Sequence, residues 1–208
     1  TDEDNQEFKI IDKIAKRRKI KKVTIGNSSG SIQILNHKYK KNKQIINISI
    51  NSKIYKLIVP LIGFFQIKNL LMAALAANES GLNLSKIFKK ISKIKPVNGR
   101  LECVATLQNN SHVIVDFAHT PDALEQSLIA IKEQFKKKII IVFGCGGDRD
   151  KGKRSKMGKI ASKYCRKIFV TDDNPRNENP TVIRNSIIKG CKKNVVNIGN
   201  RKRAIESA

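Results

Sequence analysis

Between about residues 112 and 198 the chain alternates short apolar runs with longer stretches of helical period, and few folds accommodate that rhythm. The apolar runs at 112–117, 138–143, 167–171 and 195–198 have strand length; between them apolar side chains recur every three to four residues. Buried strands separated by helices build a parallel sheet with right-handed crossovers. The expected fold class is α/β, with a Rossmann-like, mostly parallel sheet. Ligands of such open sheets sit at the carboxyl ends of strands, so the residues that follow each run are where chemistry is to be sought.

Each crossover helix carries boundary signals. Thr120 stands as an N-cap with Pro121 at the first helical position, and Leu124, Leu128, Ile131 and Phe135 share one face. Met157, Ile160, Ala161, Tyr164 and Cys165 form a second apolar face. Pro180 opens a third helix, whose Ile183, Ile187 and Ile188 turn inward before Gly190 ends it.

The first half reads differently: a short helix with Phe8, Ile11 and Ile14 apolar, then strands at 22–25, 31–35, 44–50 and 53–59. The alternation of Ile46, Ile48 and Ile50 before the Asn51-Ser52 turn signal describes a hairpin with one wet face. Ile67, Leu70, Leu71, Ala74 and Leu75 trace a helix stopped by Gly81, and a second amphipathic helix covers 84–94. The turn cluster Lys95-Pro96-Val97-Asn98-Gly99 divides the chain into expected domains 1–97 and 98–208.

A formal charge of +25 raises nucleic acid or an anionic surface as a partner. The lysines are scattered, however, and abundant Ile and Asn beside them fit an AT-biased coding sequence; with 5% aromatic residues, stacking platforms are scarce. The runs Lys16-Arg17-Arg18-Lys19, Lys40-Lys41 and Lys136-Lys137-Lys138 read as solvated surface. A nucleic-acid-binding α/β protein stays as an alternative resting on charge alone, with weak, steeply salt-dependent binding expected. Cys103, Cys145, Cys165 and Cys191 have neither Cys-x-x-Cys spacing nor a neighbouring His, against a zinc site or a disulfide framework. No apolar run nears the roughly 20 residues of a membrane span, and the Thr-Asp-Glu-Asp start lacks signal-peptide character. A cytoplasmic protein is expected.

Three polar motifs follow three consecutive apolar runs. The first is Asp116-Phe117-Ala118-His119-Thr120-Pro121. Its Asp suits a ribose and its His a nucleotide cleft, although a lone pair of this kind more often caps a helix and fills a structural role. The second is Gly144-Cys145-Gly146-Gly147-Asp148-Arg149-Asp150-Lys151-Gly152-Lys153. From Gly147 to Lys153 it has the spacing of a phosphate-binding loop, but Arg154 stands where that loop needs Ser or Thr. Its glycines alone need only turn the chain off a strand; its four charges are cheap to keep if they rim a cleft. The third is Asp173-Asn174-Pro175-Arg176, with Thr171 and Asp172 before it. Proline stiffens the turn and Arg176 offers a fork for a carboxylate; taken alone, the tetrapeptide is a loop before the Pro180 helix, with Asp172 and Asp173 opposite its dipole.

In that order the motifs resemble those of the Mur ligases, most closely the members that add meso-2,6-diaminopimelate to UDP-N-acetylmuramoyl-L-alanyl-D-glutamate. Asp-Phe-Ala-His-Thr-Pro matches the family's Asp-Tyr-Ala-His-Thr-Pro, with Phe117 for Tyr. Asn98-Gly99-Arg100-Leu101-Glu102 resembles Pro-Gly-Arg-Met-Glu, and Gly63-Phe64-Phe65-Gln66-Ile67-Lys68-Asn69 resembles Gly-x-Phe-Asn-x-x-Asn, with Gln66 in place of the first Asn. The resemblance implies that residues 1–97 are the C-terminal portion of a central ATP-binding domain and 98–208 a truncated C-terminal domain.

It also implies roles. Asn69, Arg100, Asp116 and His119 would bind ATP; Arg149, Asp173, Asn174, Pro175 and Arg176 would bind the amino acid, Arg176 holding its distal carboxylate. The implied reaction is ATP-driven amide formation through an acyl phosphate, with Mg²⁺, in peptidoglycan precursor synthesis. Catalytic residues and metal ligands are assigned to none of the 208 positions, because no phosphate-binding loop is present; the chain is expected to be an inactive piece of a longer enzyme. Its partners would be meso-diaminopimelate, ATP and the UDP-N-acetylmuramoyl dipeptide, bound by a monomer with no membrane or specific nucleic-acid partner. A folylpolyglutamate synthetase-like ligase is the alternative enzyme. His37 and His112 fit no motif and read as structural.

Overall fold

A computed structural model describes residues 1–208, which divide into two compact units, Thr1–Val115 and Asp116–Ala208. The turn cluster at 95–99 lies inside the first unit, before its last hairpin.

The first unit is a four-stranded sheet in the order β1–β2–β3–β4, covered on one face by helices. After α1 (Phe8–Arg17) come β1 (Ile25–Gly26), β2 (Ile32–Lys40), β3 (Lys43–Ile50) and β4 (Lys53–Val59). β1 runs parallel to β2, while β2–β3 and β3–β4 are antiparallel. On β3 the expected alternation holds: Gln44, Ile46, Ile48 and Ile50 are buried, and the residues between them are not. Asn51 and Ser52 both have positive φ, 48° and 65°, the primed turn that matches strand twist.

β2 runs five residues past the expected end at 35, to Lys40, and turns into β3 through Lys41 at φ 53°. Its second half, His37-Lys38-Tyr39-Lys40, pairs by backbone and carries no apolar alternation for a sequence pattern to find. β1, by contrast, is only two residues long.

α2 (Phe64–Glu79) lays Ile67, Leu71, Ala74 and Leu75 on the sheet, and α3 (Leu84–Ile91) adds Phe88 and Ile91. Burying each of these Ile, Leu and Phe side chains contributes about 1.5–3 kcal/mol. Asn83 caps α3, accepting from the Lys86 N–H, and the helix stops at Ile91, short of the expected 94. Gly81, at φ 97°, ends the α2 segment. Gln44, fully buried, donates to the Leu61 and Gly63 carbonyls at 2.7 and 3.1 Å and meets His37 Nε2 at 2.8 Å. That amide fixes the connection from β4 into α2.

β5 (Glu102–Thr106) and β6 (His112–Val115) form a separate antiparallel hairpin. This corrects two expectations: β5 is a strand not read from the sequence, and the apolar run at 112–117 pairs with it instead of joining the parallel sheet. Strand character is legible in a sequence, whereas the partner is chosen by the short turn, closed by Leu107 N–H to Ser111 O at 2.8 Å.

The second unit is a parallel sheet in the order β7–β8–β9, formed by β7 (Ile139–Phe143), β8 (Cys165–Val170) and β9 (Val195–Asn197). α4 (Pro121–Phe135) precedes β7, α5 (Gly152–Tyr164) and α6 (Pro180–Ile188) are the crossovers, and α7 (Arg201–Glu206) follows β9. Thr120 Oγ1 accepts from the Ala123 N–H at 3.3 Å, with Pro121 at the first turn, as expected. Asn179 caps α6 in the same way through Thr181 N–H. Leu124, Leu128, Met157, Ala161, Ile183 and Ile187 bury their side chains against Phe143, Ile168 and Val170. Cys165, read as the end of a helical face, instead opens β8. No helix is long and apolar enough to cross a membrane.

Candidate functional site

Parallel pairing of Phe143 with Val170 brings the segments after β7 and β8 out at one edge of the sheet. The ladder runs one step further, Thr171 N–H to Phe143 O at 3.0 Å, before the chains separate. The 144–151 and 171–179 loops then pack backbone to backbone. A Cβ on Gly147 would lie 1.8 Å from the Pro175 carbonyl oxygen, and one on Gly144 2.4 Å from the Thr171 oxygen. Close approach, not a positive φ, is what requires glycine here.

A dense set of hydrogen bonds joins the loops. Gly147 N–H donates to Asn174 O at 2.8 Å, and Arg176 Nη1 donates to Gly147 O at 2.6 Å. Asp148 N–H donates to Glu178 Oε1 at 2.7 Å, while Asp148 Oδ2 accepts from the Asn177 N–H and Nδ2 at 3.2 and 2.9 Å. Asp148 and Arg176 both hold left-handed φ, 51° and 50°. Such a conformation costs an L-residue roughly 1–2 kcal/mol and persists when its surroundings over-determine it.

Behind the loops, Arg154 reaches from α5 with a side chain 2% exposed and donates through Nη1 and Nη2 to Glu178 Oε2 and Oε1, 2.9 and 2.8 Å. Arg154, together with the Asp148 N–H, holds the Glu178 carboxyl down to about 2; in return Glu178 raises the Arg154 guanidinium against the opposing effect of its burial. This pair explains why the glycine loop departs from a phosphate-binding loop. The residue where Ser or Thr would hold a metal is a buried arginine engaged with Glu178, and Lys153 Nζ donates to the His119 carbonyl at 2.9 Å.

The sequence-derived amino-acid residues therefore come together. Arg149, Asp173, Asn174 and Arg176 are exposed and Pro175 half-buried, all on the two interlocked loops. The charges of 148–151 do not pack behind the glycines but stand at the surface. Asp150 Oδ1 accepts from Gly152 N–H at 2.8 Å at the start of α5. Asp172 belongs to another network, paired with Arg184, which also donates to Asn197 Oδ1 at 2.7 Å.

The nucleotide residues divide between the units. Asn69 and Arg100 are in the first, Asp116 and His119 in the second. Gln66, three residues before Asn69 on α2, donates to the Ile62 and Arg100 carbonyls at 2.9 and 3.3 Å, so its amide ties down the backbone beside Arg100. Asp116 Oδ2 accepts from Ser127 Oγ at 2.6 Å. His119 Nδ1 lies 3.2 Å from Phe117 O; a carbonyl only accepts, so that nitrogen carries the proton.

Sequence reading missed Arg154 and Glu178. The misfit of Arg154 to the phosphate-loop pattern was the available signal; Glu178 gave none. All four cysteines are free thiols, and burial pushes Cys165 up to about 12. The β5–β6 register brings Cys103 Sγ to 3.9 Å from His112 Nδ1, a neighbour the linear sequence does not show. No group of three or more His, Cys, Asp or Glu side chains is arranged to hold a metal ion. At the opposite end of the parallel sheet the fold gathers scattered cations: Lys132, Lys136–Lys138, Lys163, Arg166 and Lys193 line a depression of about 510 Å³.

The chain is similar to proteins of known family over most of its length. Residues 1–77 match the Mur ligase middle domain and residues 99–208 the Mur ligase glutamate ligase domain. A relative from Zymomonas mobilis is 40% identical over 92% of this chain, and one from Rickettsia montanensis 39% identical over 98%. Both are named UDP-N-acetylmuramoyl-L-alanyl-D-glutamate--2,6-diaminopimelate ligase, and the chain spans 39% and 42% of their lengths. A solved ligase of the same name superposes with a TM-score of 0.67 at 29% identity, over 99% of this chain and 43% of that one. A folylpolyglutamate synthase from Thermotoga maritima (TM-score 0.70, 20% identity, 98% of this chain and 47% of that one) shares the fold. With two consecutive domain models matched, the second over more than half of its residues, the chain belongs to the Mur ligase family.

Proposed function

We propose that this chain is part of an ATP-dependent ligase that joins meso-2,6-diaminopimelate to UDP-N-acetylmuramoyl-L-alanyl-D-glutamate in peptidoglycan precursor synthesis. One observation carries the reading: the Asp173–Arg176 turn is locked against the glycine loop, with Arg176 exposed and its guanidinium anchored by Nη1 to Gly147 O. An anchored, always-charged planar fork suits the distal carboxylate of a diamino diacid and has nothing to bind on lysine. Arg149, Asp173, Asn174 and Pro175 complete the pocket, Asp173 and Asn174 offering acceptors for ammonium groups.

ATP, when bound, supplies the phosphoryl group that activates the D-glutamyl carboxyl for attack by the amine. The residues assigned to it fit: Arg100 is an exposed guanidinium beside a tight turn, suited to phosphate oxygens, and Asn69 presents an exposed amide to adenine. Asp116, oriented by Ser127, accepts from ribose hydroxyls, and the proton on His119 Nδ1 leaves Nε2 as an acceptor in the neutral ring. Mg²⁺ finds no such donor set here, so its ligands are assigned to none of these residues. The reading takes 1–97 as part of the ATP-binding domain and 98–208 as the C-terminal domain of a cytoplasmic, monomeric enzyme acting on small molecules.

Amino-acid-dependent ADP release by the ligase carrying this chain tests it. The expected result is turnover with meso-diaminopimelate and not L-lysine, and a KM for the former raised roughly a hundredfold in Arg176→Ala, the scale of truncating one partner of a charged contact. Equal use of L-lysine, or an unchanged KM in the variant, would overturn it.

A further inference from the structure

Arg154 and Glu178 lie outside every motif that points to the amino acid, yet their contacts span both of its loops. The pair is bidentate, with the Arg154 side chain buried at 2% exposed and the Glu178 side chain partly shielded at 15%. Taking the Arg154 guanidinium out of water offsets part of what the pair contributes to stability, which leaves room for a role besides stability. Its connections supply one. Glu178 Oε1 accepts from both Arg154 Nη2 and the Asp148 N–H, while Arg154 Nη2 also reaches Gly146 O at 3.5 Å. The carboxylate thereby holds Asp148 at its left-handed φ, immediately before Arg149. Asn177, between the left-handed Arg176 and Glu178, donates from the opposite loop to the Asp148 carboxylate through its N–H and Nδ2, and so ties down the backbone that leaves Arg176.

We infer that Glu178, seated by Arg154, is a positioning residue for the amino acid: it sets the directions in which Arg149 and Arg176 present their charges. The inference rests on the proposed amino-acid pocket but adds a residue that touches no ligand. Removing the clamp should relax the two arginines while the parallel sheet beneath, held by its own ladder and apolar core, stays folded.

The test uses the ligase carrying this chain and two variants. The double variant Arg154→Met with Glu178→Gln removes both charges together, so no unpaired buried ion is left to unfold the unit. Glu178→Asp keeps the charge but shortens its reach. Three quantities are read: thermal midpoint, hydrogen exchange at the Asp148 amide, and KM for the amino acid against KM for ATP. Expected are exchange at Asp148 at least tenfold faster in the double variant, an amino-acid KM raised about tenfold, an unchanged ATP KM, and a smaller rise in Glu178→Asp. Faster exchange with an unchanged amino-acid KM, exchange that stays slow, or KM values for both substrates rising together would each overturn the inference. Wild type is first assayed with meso-diaminopimelate and with L-lysine. If only L-lysine is used, the substrate reading falls, and the same ratio measured with L-lysine still decides the clamp.

Discussion

Gly147→Ala asks directly how the two loops are held together. The added methyl would sit 1.8 Å from the Pro175 carbonyl oxygen and 2.6 Å from its carbon, both backbone atoms that no rotamer change can move. An ordinary C···O contact is about 3.3 Å, so the loops must part by roughly 1.5 Å. That displacement breaks Gly147 N–H to Asn174 O and Arg176 Nη1 to Gly147 O. Overpacking costs about 1–3 kcal/mol; the neutral bond adds about 1 and the charged one about 2 kcal/mol. Relaxation recovers part of this, leaving about 3 kcal/mol, which for a unit of this size lowers the midpoint by roughly 12 °C or more.

With two compact units, a global melt mixes two transitions. Thiol labelling of Cys145 and Cys165, 3% and 7% exposed, reports the second unit alone. Gly81→Ala is the contrast: at φ 97° with nothing within 4 Å it meets only backbone strain, in the first unit, and should leave that labelling unchanged. A shift below about 4 °C for Gly147→Ala, the effect of about 1 kcal/mol, would refute the claim that close approach to Pro175 dictates glycine.

Two further outcomes are expected. Glu178 is depressed from 4.5 to about 2; a depressed carboxyl contributes stability that is complete above its ordinary value and lost as pH falls through the folded one. Denaturant unfolding of the second unit should therefore lose stability between about pH 4.5 and 2, and the Arg154→Met, Glu178→Gln double variant should lose less across that window; equal losses would show that the folded unit does not stabilise the Glu178 carboxylate. Gln44→Leu strands the buried Leu61 and Gly63 carbonyls and removes the contact to His37, costing about 3 kcal/mol. An unchanged urea midpoint for the first unit would show that this amide does not secure the entry to α2.

Local signals were legible because they depend on near neighbours in the chain. Thr120-Pro121 and Pro180 start helices as their chemistry dictates, Asn51-Ser52 closes a hairpin, and the apolar face of α2 is the one its spacing shows. What escaped depends on distant partners: β6 has strand composition, but its pairing with β5 was decided by the turn between them, and the second half of β2 pairs through backbone with no side-chain pattern to betray it.

The candidate site divides along the same line. The α/β pattern placed the Arg149 and Asp173–Arg176 loops at successive strand ends of one sheet edge, and the family resemblance assigned both to the amino acid. Only the tertiary structure shows that Gly147 must be glycine because Pro175 lies against it, and that the buried Arg154, paired with Glu178, joins the loops. Composition and periodicity determined the α/β class and the chemistry available at the strand ends, because both follow from the chemical character and spacing of nearby residues. The reach of one loop toward another, and so the directions of the two arginines, was decided by packing between segments some thirty residues apart, which no local pattern encodes.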